Sequence, residues 1–348
     1  MPNTLQTVLG CALALTITLA SPIALAAEPG FDDTTIEQIH YPDWFKDSFL
    51  DLPDDAAMAA DASKQGLFLF FATQGCSYCH LFLEKSLGDP AIAARLREHF
   101  DAIGLEIFSD AELTDFAGNS TRVKAFAVAE GVEFAPTLLF YDTSGEPLLK
   151  LTGYYGPERF RQVLRYLIDG HDKEMSLHDY LQQHSGAAGN AAAAWSLPKD
   201  PLFEPPPYAL ARNRMPAERP LLVIFEGKDC GGCGRFHREV LGDDTIRERL
   251  AGFDVVRLDA DDTTAPVLTP AGARTTPGDW YAELGFTQLP ALAFFAENGR
   301  QVLTTDALVL QGRMQNSLGF VSERAYEKGW NYQRYARSQA LARARAAE

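Results

Sequence analysis

The sequence predicts an α/β protein of two similar domains, each with a mixed central sheet flanked by helices. Three observations predict it. A Cys-x-x-Cys motif occurs twice, at Cys76/Cys79 and Cys230/Cys233, 154 residues apart, and each is followed 60 residues on by a proline, Pro136 and Pro290. The same offset of 154 brings Leu67 onto Leu221, Phe71 onto Phe225, Leu87-Gly88-Asp89 onto Leu241-Gly242-Asp243, Gly131 onto Gly285 and Phe140 onto Phe294, with no gap. The order of apolar runs and amphipathic stretches is also shared by the two halves, so one module is written twice. A chain of 348 residues has room for two separate cores.

The elements follow in order. An N-terminal extension, with Trp44, Phe45 and Phe49 expected to pack down, leads to a helix over 54–64. The continuous apolar run 66–71 suits a strand covered on both faces. After the first Cys pair come an amphipathic stretch (Leu81, Phe82, Leu87) and a helix over 90–100 that opens on proline. A strand is expected at 103–108, a polar loop at 109–122, and a helix over 123–130 ended by Gly131. Strands 137–141 and 148–151 flank the turn Thr143-Ser144-Gly145, and a helix over 157–168 closes the module. The second module repeats this: strand 221–225, the Cys pair with a helix through Val240, helix 245–251, strand 255–258, loop 263–278, helix 279–284 and strand 291–295. The turn Asn298-Gly299, a longer strand 302–310 and helices over 313–328 and 332–346 complete it. A parallel crossover followed by an antiparallel hairpin gives a mixed sheet.

The expected domain limits are a signal peptide at 1–26, a first domain at 27–180, a linker at 181–219 and a second domain at 220–348 with a C-terminal helical extension. The stretch 185–194 is rich in Gly and Ala and precedes Pro205-Pro206-Pro207, a flexible segment followed by a stiffer one. Trp195 and Phe203 are candidates to dock it. Residues 8–27 are apolar and uncharged and close on Ala24-Leu25-Ala26, a small-x-small cleavage pattern, although no Lys or Arg precedes them. Export to the periplasm, with no stable membrane insertion after cleavage, is the expectation. It would place the four remaining cysteines in an oxidising compartment. The net charge of −16 argues against nucleic acid as a partner, because phosphates require a basic surface.

At the end of a strand and the start of a helix, the first Cys of each motif faces unpaired amides and the positive end of the helix dipole. Cys76 and Cys230 are therefore the candidate nucleophiles, with lowered thiol pKa values. Cys79 and Cys233 lie one helical turn on, in reach to resolve a mixed disulfide. Cys76-Ser77-Tyr78-Cys79-His80 also spells a haem-attachment motif, but the second copy has Gly234 in place of the His. Structural zinc needs four ligands, and the two pairs lie in separate repeats. No metal and no cofactor is expected.

With Phe68–Phe71 leading into the first motif, Gly131-Val132-Glu133-Phe134-Ala135-Pro136 following it, and Leu289-Pro290-Ala291-Leu292 in the second half, the chain resembles the thioredoxin superfamily. The resemblance covers roughly 66–167 and 220–328. It implies two thioredoxin-like domains and makes Pro136 and Pro290 cis-prolines that shape a substrate groove. It also implies protein disulfides as substrates and a membrane thiol donor as partner. The first motif is similar to that of periplasmic disulfide isomerases. The implied activity is a thiol–disulfide oxidoreductase, reducing in the favoured direction, with isomerisation or oxidation competing. A redox-inactive chaperone or metal-delivery scaffold is the non-enzymatic alternative.

The departures are specific. The buried acid that thioredoxin carries six residues before its first Cys is replaced by Phe70 and Ile224. Glu226 stands two residues on and is a candidate substitute in the second module. His80, Lys228 and Asp229 are further candidate modulators: a protonated His80 would favour a thiolate, Asp229 would oppose it at Cys230, and Lys228 would counter Asp229. The first module is therefore expected to be the more oxidising. His237 is read as lying on the exposed face of its helix.

Overall fold

The computed structural model describes residues 31–35, 38–184, 199–228 and 230–346. The expected signal peptide, Trp195 and Asp229 lie outside the described residues. The first module runs α1 (Leu52–Asp61), β1 (Gly66–Ala72), α2 (Ser77–Leu81), α3 (Pro90–His99), β2 (Phe100–Glu106), β3 (Glu112–Thr114), β4 (Ser120–Arg122), α4 (Val123–Ala129), β5 (Thr137–Asp142), β6 (Pro147–Thr152), α5 (Pro157–Ile168) and α6 (Leu177–His184). The second runs β7 (Leu221–Glu226), α7 (Cys233–Arg235), α8 (Asp244–Leu250), β8 (Asp254–Asp259), β9 (Val267–Leu268), β10 (Arg274–Thr275), α9 (Pro277–Glu283), β11 (Ala291–Phe295), β12 (Gln301–Thr305), α10 (Gln311–Ser322) and α11 (Tyr332–Ala346).

The two main sheets have the same topology. The first is ordered β2-β1-β5-β6 and the second β8-β7-β11-β12. In each, the strand before the Cys pair runs parallel to its crossover partner and antiparallel to the strand after the proline. That central strand is apolar along its length because helices cover both faces. All of β1 and all of β7 are buried. Each large side chain taken from water there contributes about 2 kcal/mol.

Local signals explain why the elements start and stop where they do. Asp89 caps α3, its carboxylate accepting from Ala91 and Ile92 N–H, and Asp243 caps α8 by accepting from Ile246 N–H. Gly131 and Gly285 follow α4 and α9 with φ of 60° and 72°, a left-handed backbone that suits glycine. Both Cys helices pass into one π-helical turn at equivalent places, Phe82–Ser86 and Phe236–Val240. This is a second copy of the same backbone irregularity, and the sequence reading did not anticipate it.

Several expectations are corrected. Phe49 is fully exposed, whereas Trp44 and Phe45 do pack against the first core. The strand expected at 103–108 is β2, which begins at Phe100, because Phe100 already has extended backbone and pairs with Gly66. The loop 109–122 contains the small β3–β4 hairpin, and the loop 263–278 contains the β9–β10 pair. The strand expected over 302–310 stops at Thr305. Asp306 turns the chain there, its carboxylate accepting from Thr287 and Gln288 N–H at 2.7 and 3.1 Å. The helix expected over 313–328 ends at Ser322, and a 3-10 turn at Ala325–Lys328 follows. The helix α6 runs to His184, into the segment expected to be linker. From residue 199 on, the segment lies on the second module: Leu210 is in its core, and Arg257 stacks over Phe203 at 4.6 Å.

The two modules pack together through apolar and polar contacts. Phe134 belongs to the first module, yet its ring is buried in the core of the second, stacked on Tyr332 at a centroid distance of 4.5 Å. Gly153, with φ 89°, faces Ala307 so closely that a Cβ would lie 2.0 Å from the Ala307 Cβ. Any side chain at 153 must push the modules apart. Gly153→Val is therefore expected to lower stability by about 2 kcal/mol or more, from left-handed backbone strain together with overpacking. A urea unfolding curve indistinguishable from wild type would refute the close approach.

Candidate functional site

In each module the strand ends, the chain turns, and two cysteines open the helix. At the first site Gly75 has φ 81°, which swings the chain so that Cys76 becomes the N-cap of α2. Its Sγ accepts from the Cys79 amide at 3.1 Å. The Cys76 and Cys79 sulfurs are disulfide-bonded, with Cα atoms 5.3 Å apart. At the second site Cys230 and Cys233 are bonded likewise, with Cα atoms 5.4 Å apart. The peptides Ala135–Pro136 and Leu289–Pro290 are both cis, as is Pro206–Pro207. At the second site Leu289 O and Pro290 Cδ would each lie 3.5 Å from a Cβ built on Gly232, so the proline loop lies against the motif. At the first, Ala135 and Cys76 line one cleft.

The surroundings of the two sites differ. The first pair's intervening residues, Ser77 and Tyr78, are buried, whereas Gly231 is exposed and Gly232 half-buried. The Tyr78 hydroxyl donates to Asp33 Oδ2 at 2.7 Å and accepts from Leu310 N–H at 3.1 Å. Arg313 lies 3.6 Å from the centre of the Tyr78 ring. Complete burial, with the Asp33 carboxylate alongside, drives the Tyr78 pKa far above its ordinary value, so this phenol stays neutral. Tyr78, between the two cysteines in sequence, is thus a joint between the modules. The same Asp33 carboxylate accepts from Gly312 and Arg313 N–H at 2.9 and 2.8 Å, acting as the cap that α10 lacks from its own segment.

The candidate modulators fall into different places. Glu226 is fully buried at the end of β7 and meets His237 Nε2 at 2.6 Å and Arg257 at 4.0 Å. His237 therefore points inward, against the expectation of an exposed position, because a buried carboxylate needs a partner. No counterpart exists in the first module, where Ala72 occupies the equivalent position. His80 is turned toward Glu84, 3.6 Å away. Lys228 is exposed, and its backbone N–H donates to Asp261 at 2.8 Å. Phe70 and Ile224, at the positions of thioredoxin's acid, are core residues. Sequence reasoning missed Asp33, Arg313 and Gln333, which surround the first site. Among the described residues no group of three or more His, Cys, Asp or Glu is placed to hold a metal ion, and no helix is long and apolar enough to cross a membrane.

The profile of the thioredoxin-like domain family matches the chain twice, over residues 52–168 and 209–321, well over half of its length. Comparison with curated protein sequences finds no match. Among solved structures, a thioredoxin-fold protein from Helicobacter pylori is 25% identical, covering 42% of this chain and 89% of its own, with a TM-score of 0.33. A thioredoxin from Thermus thermophilus is 19% identical over 37% of this chain and 95% of its own, with a TM-score of 0.29. The first two thioredoxin domains of Saccharomyces cerevisiae Eps1p span 81% of this chain and 98% of their own, at 15% identity and a TM-score of 0.24.

Two outcomes are expected. The amide on Cys76 Sγ favours its thiolate, and no described amide donates to Cys230 Sγ, so the first pair should have the higher reduction potential. Potentials of the two single-pair proteins, equilibrated against glutathione, check this; a higher value for the second pair would refute it. Glu226→Ala should lower stability by about 1.5–3 kcal/mol by removing the buried carboxylate that His237 Nε2 meets at 2.6 Å. Urea unfolding measures it.

Proposed function

Because this chain belongs to the thioredoxin-like domain family, twice over, we propose that it is an exported thiol–disulfide oxidoreductase acting on protein disulfides. The observation that carries the reading is the pairing, in both modules, of a bonded Cys-x-x-Cys at a helix start with a cis-proline loop against it. In the reducing direction, the thiolate of Cys76 or Cys230 attacks a substrate sulfur, and the substrate's other sulfur leaves as a thiolate. Cys79 or Cys233 then attacks the mixed disulfide, releasing the second substrate thiol and closing the protein disulfide, for a transfer of two electrons. A dithiol donor restores the reduced pair. A membrane thiol donor and periplasmic location belong to this reading, supported by the apolar N-terminal segment with its Ala24-Leu25-Ala26 pattern. Pro136 and Pro290 are assigned to shaping the grooves, and Glu226 with His237 to the proton balance of the second pair.

The test is a dithiothreitol-coupled disulfide reductase assay on wild type, Cys76→Ser, Cys230→Ser and the double variant. Wild type should turn over at least about tenfold faster than the double variant, because the thiolate nucleophile is required for exchange. Equal rates for the two would overturn the enzymatic reading.

A further inference from the structure

The two disulfides are almost equally covered, with Cys76 7% and Cys230 6% exposed. The backbone beside them is not. The residue before a cis-proline that faces a disulfide offers an N–H and a C=O to which an extended polypeptide can add as a strand. At the first site both groups are already taken by the second module. Ala135 N–H donates to Gln333 Oε1 at 3.0 Å, and Ala135 C=O accepts from the Arg313 guanidinium at 3.1 Å. Gln333 sits on α11 and Arg313 on α10. The preceding Phe134 ring is locked into the second core against Tyr332, and Ala135 and Pro136 are buried. At the second site, among the described residues, neither Leu289 N–H nor Leu289 C=O has a hydrogen-bond partner. Leu289 and Pro290 are half-buried there, and Gly231 is exposed.

What remains open at the first site is a cleft of about 60 Å³, lined in part by Cys76, Asn316, Gln333 and the cations Arg313 and Arg337. At about 10–15 Å³ per water, that is the room of a few water molecules. It is too small for a polypeptide strand, yet it suits the tip of a small sulfur compound. Arg313 and Arg337 share this lining with the Asp33 carboxylate, and Arg337 also faces Glu106 at 3.6 Å.

Building on the oxidoreductase reading, we propose that the two sites divide their substrates by size. The chain's own C-terminal helices close the first pair to polypeptides, so that it exchanges with small disulfides and thiols, while the second pair serves polypeptide disulfides. The chemistry at the first pair balances as a two-electron exchange. The reduced Cys76 thiolate attacks one sulfur of a small disulfide and expels the other as a thiolate. Cys79 thiolate then displaces the second small thiolate and forms the Cys76–Cys79 bond.

The test uses two full-length proteins, Cys230→Ser/Cys233→Ser, which keeps only the first pair, and Cys76→Ser/Cys79→Ser, which keeps only the second. Each is reduced, freed of reductant, and mixed with 2-hydroxyethyl disulfide or with insulin, and the loss of protein thiols is followed by alkylation. The first-pair protein should consume hydroxyethyl disulfide within about tenfold of the rate of the second-pair protein. It should consume insulin at least about a hundredfold more slowly, because the clamp must open first. Adding Tyr332→Ala and Gln333→Ala to the first-pair protein should raise its insulin rate by about tenfold or more. If that variant does not fold, the comparison of the two single-pair proteins decides alone. Comparable insulin rates for the two pairs would overturn the division by size, as would a first pair inert toward hydroxyethyl disulfide beside a working second pair. If neither protein consumes either disulfide, the oxidoreductase reading itself fails.

Discussion

Arg313 is the charge around which the two modules are arranged. Its side chain is 4% exposed, and a buried cation is costly unless every donor and its charge are met. Its guanidinium donates to Leu308 C=O at 2.8 Å in its own module and to Ala135 C=O at 3.1 Å in the other. It stacks on the Tyr78 ring and lies 5.8 Å from that of Phe134. These partners come from both modules, so the cation is satisfied only when the modules sit in this one arrangement. Asp33 works in the same sense, meeting the Tyr78 hydroxyl and the start of α10 with a single carboxylate. A buried network of this kind is strong when complete and a liability when one member is missing.

The same joint separates two sites that share a backbone. The strand order, the π-helical turn, the capping aspartates and the cis-prolines are reproduced at the offset of 154. Chemistry that depends only on this backbone, a disulfide at a helix start, is therefore available twice. Features that depend on neighbours are not. The first pair has an amide on the Cys76 sulfur and a proline loop gripped by the other module. The second has a buried Glu226–His237 pair behind its strand and a loop whose edge is unclaimed among the described residues. Duplication preserved the fold, and the packing of one copy against the other made the copies unequal.

The contribution of Tyr78 shows how such inequality hides in a motif. Read along the chain, Cys-Ser-Tyr-Cys differs from Cys-Gly-Gly-Cys only in the residues between the thiols, and the natural reading is a local effect on the sulfur. In the fold the tyrosine is bound on its ring face by Arg313 and on its hydroxyl by Asp33 and Leu310. Two glycines could make none of these contacts. The position is an attachment point for the second module as well as part of a redox motif.

Most of the module architecture was legible in the sequence because it is governed by neighbours in the chain. The apolar run of β1, the Asp-Pro opening of α3, Gly131 and Gly285 after their helices, and the twin Cys-x-x-Cys each act within a few residues. The limits of α5, β11 and α11 coincide with those expected. The early end of β12 was not legible, since it follows from where Asp306 finds N–H donors some 18 residues back. Nor was the inward turn of His237, which answers a carboxylate 11 residues away. The closing of the first site lay furthest from view: Ala135 meets Arg313 across 178 residues of chain and Gln333 across 198. Periodicity and capping carry no trace of such contacts. They exist because a buried arginine, a buried phenol and two backbone polar groups must all find partners once the modules come together, and only the folded chain brings those partners within reach.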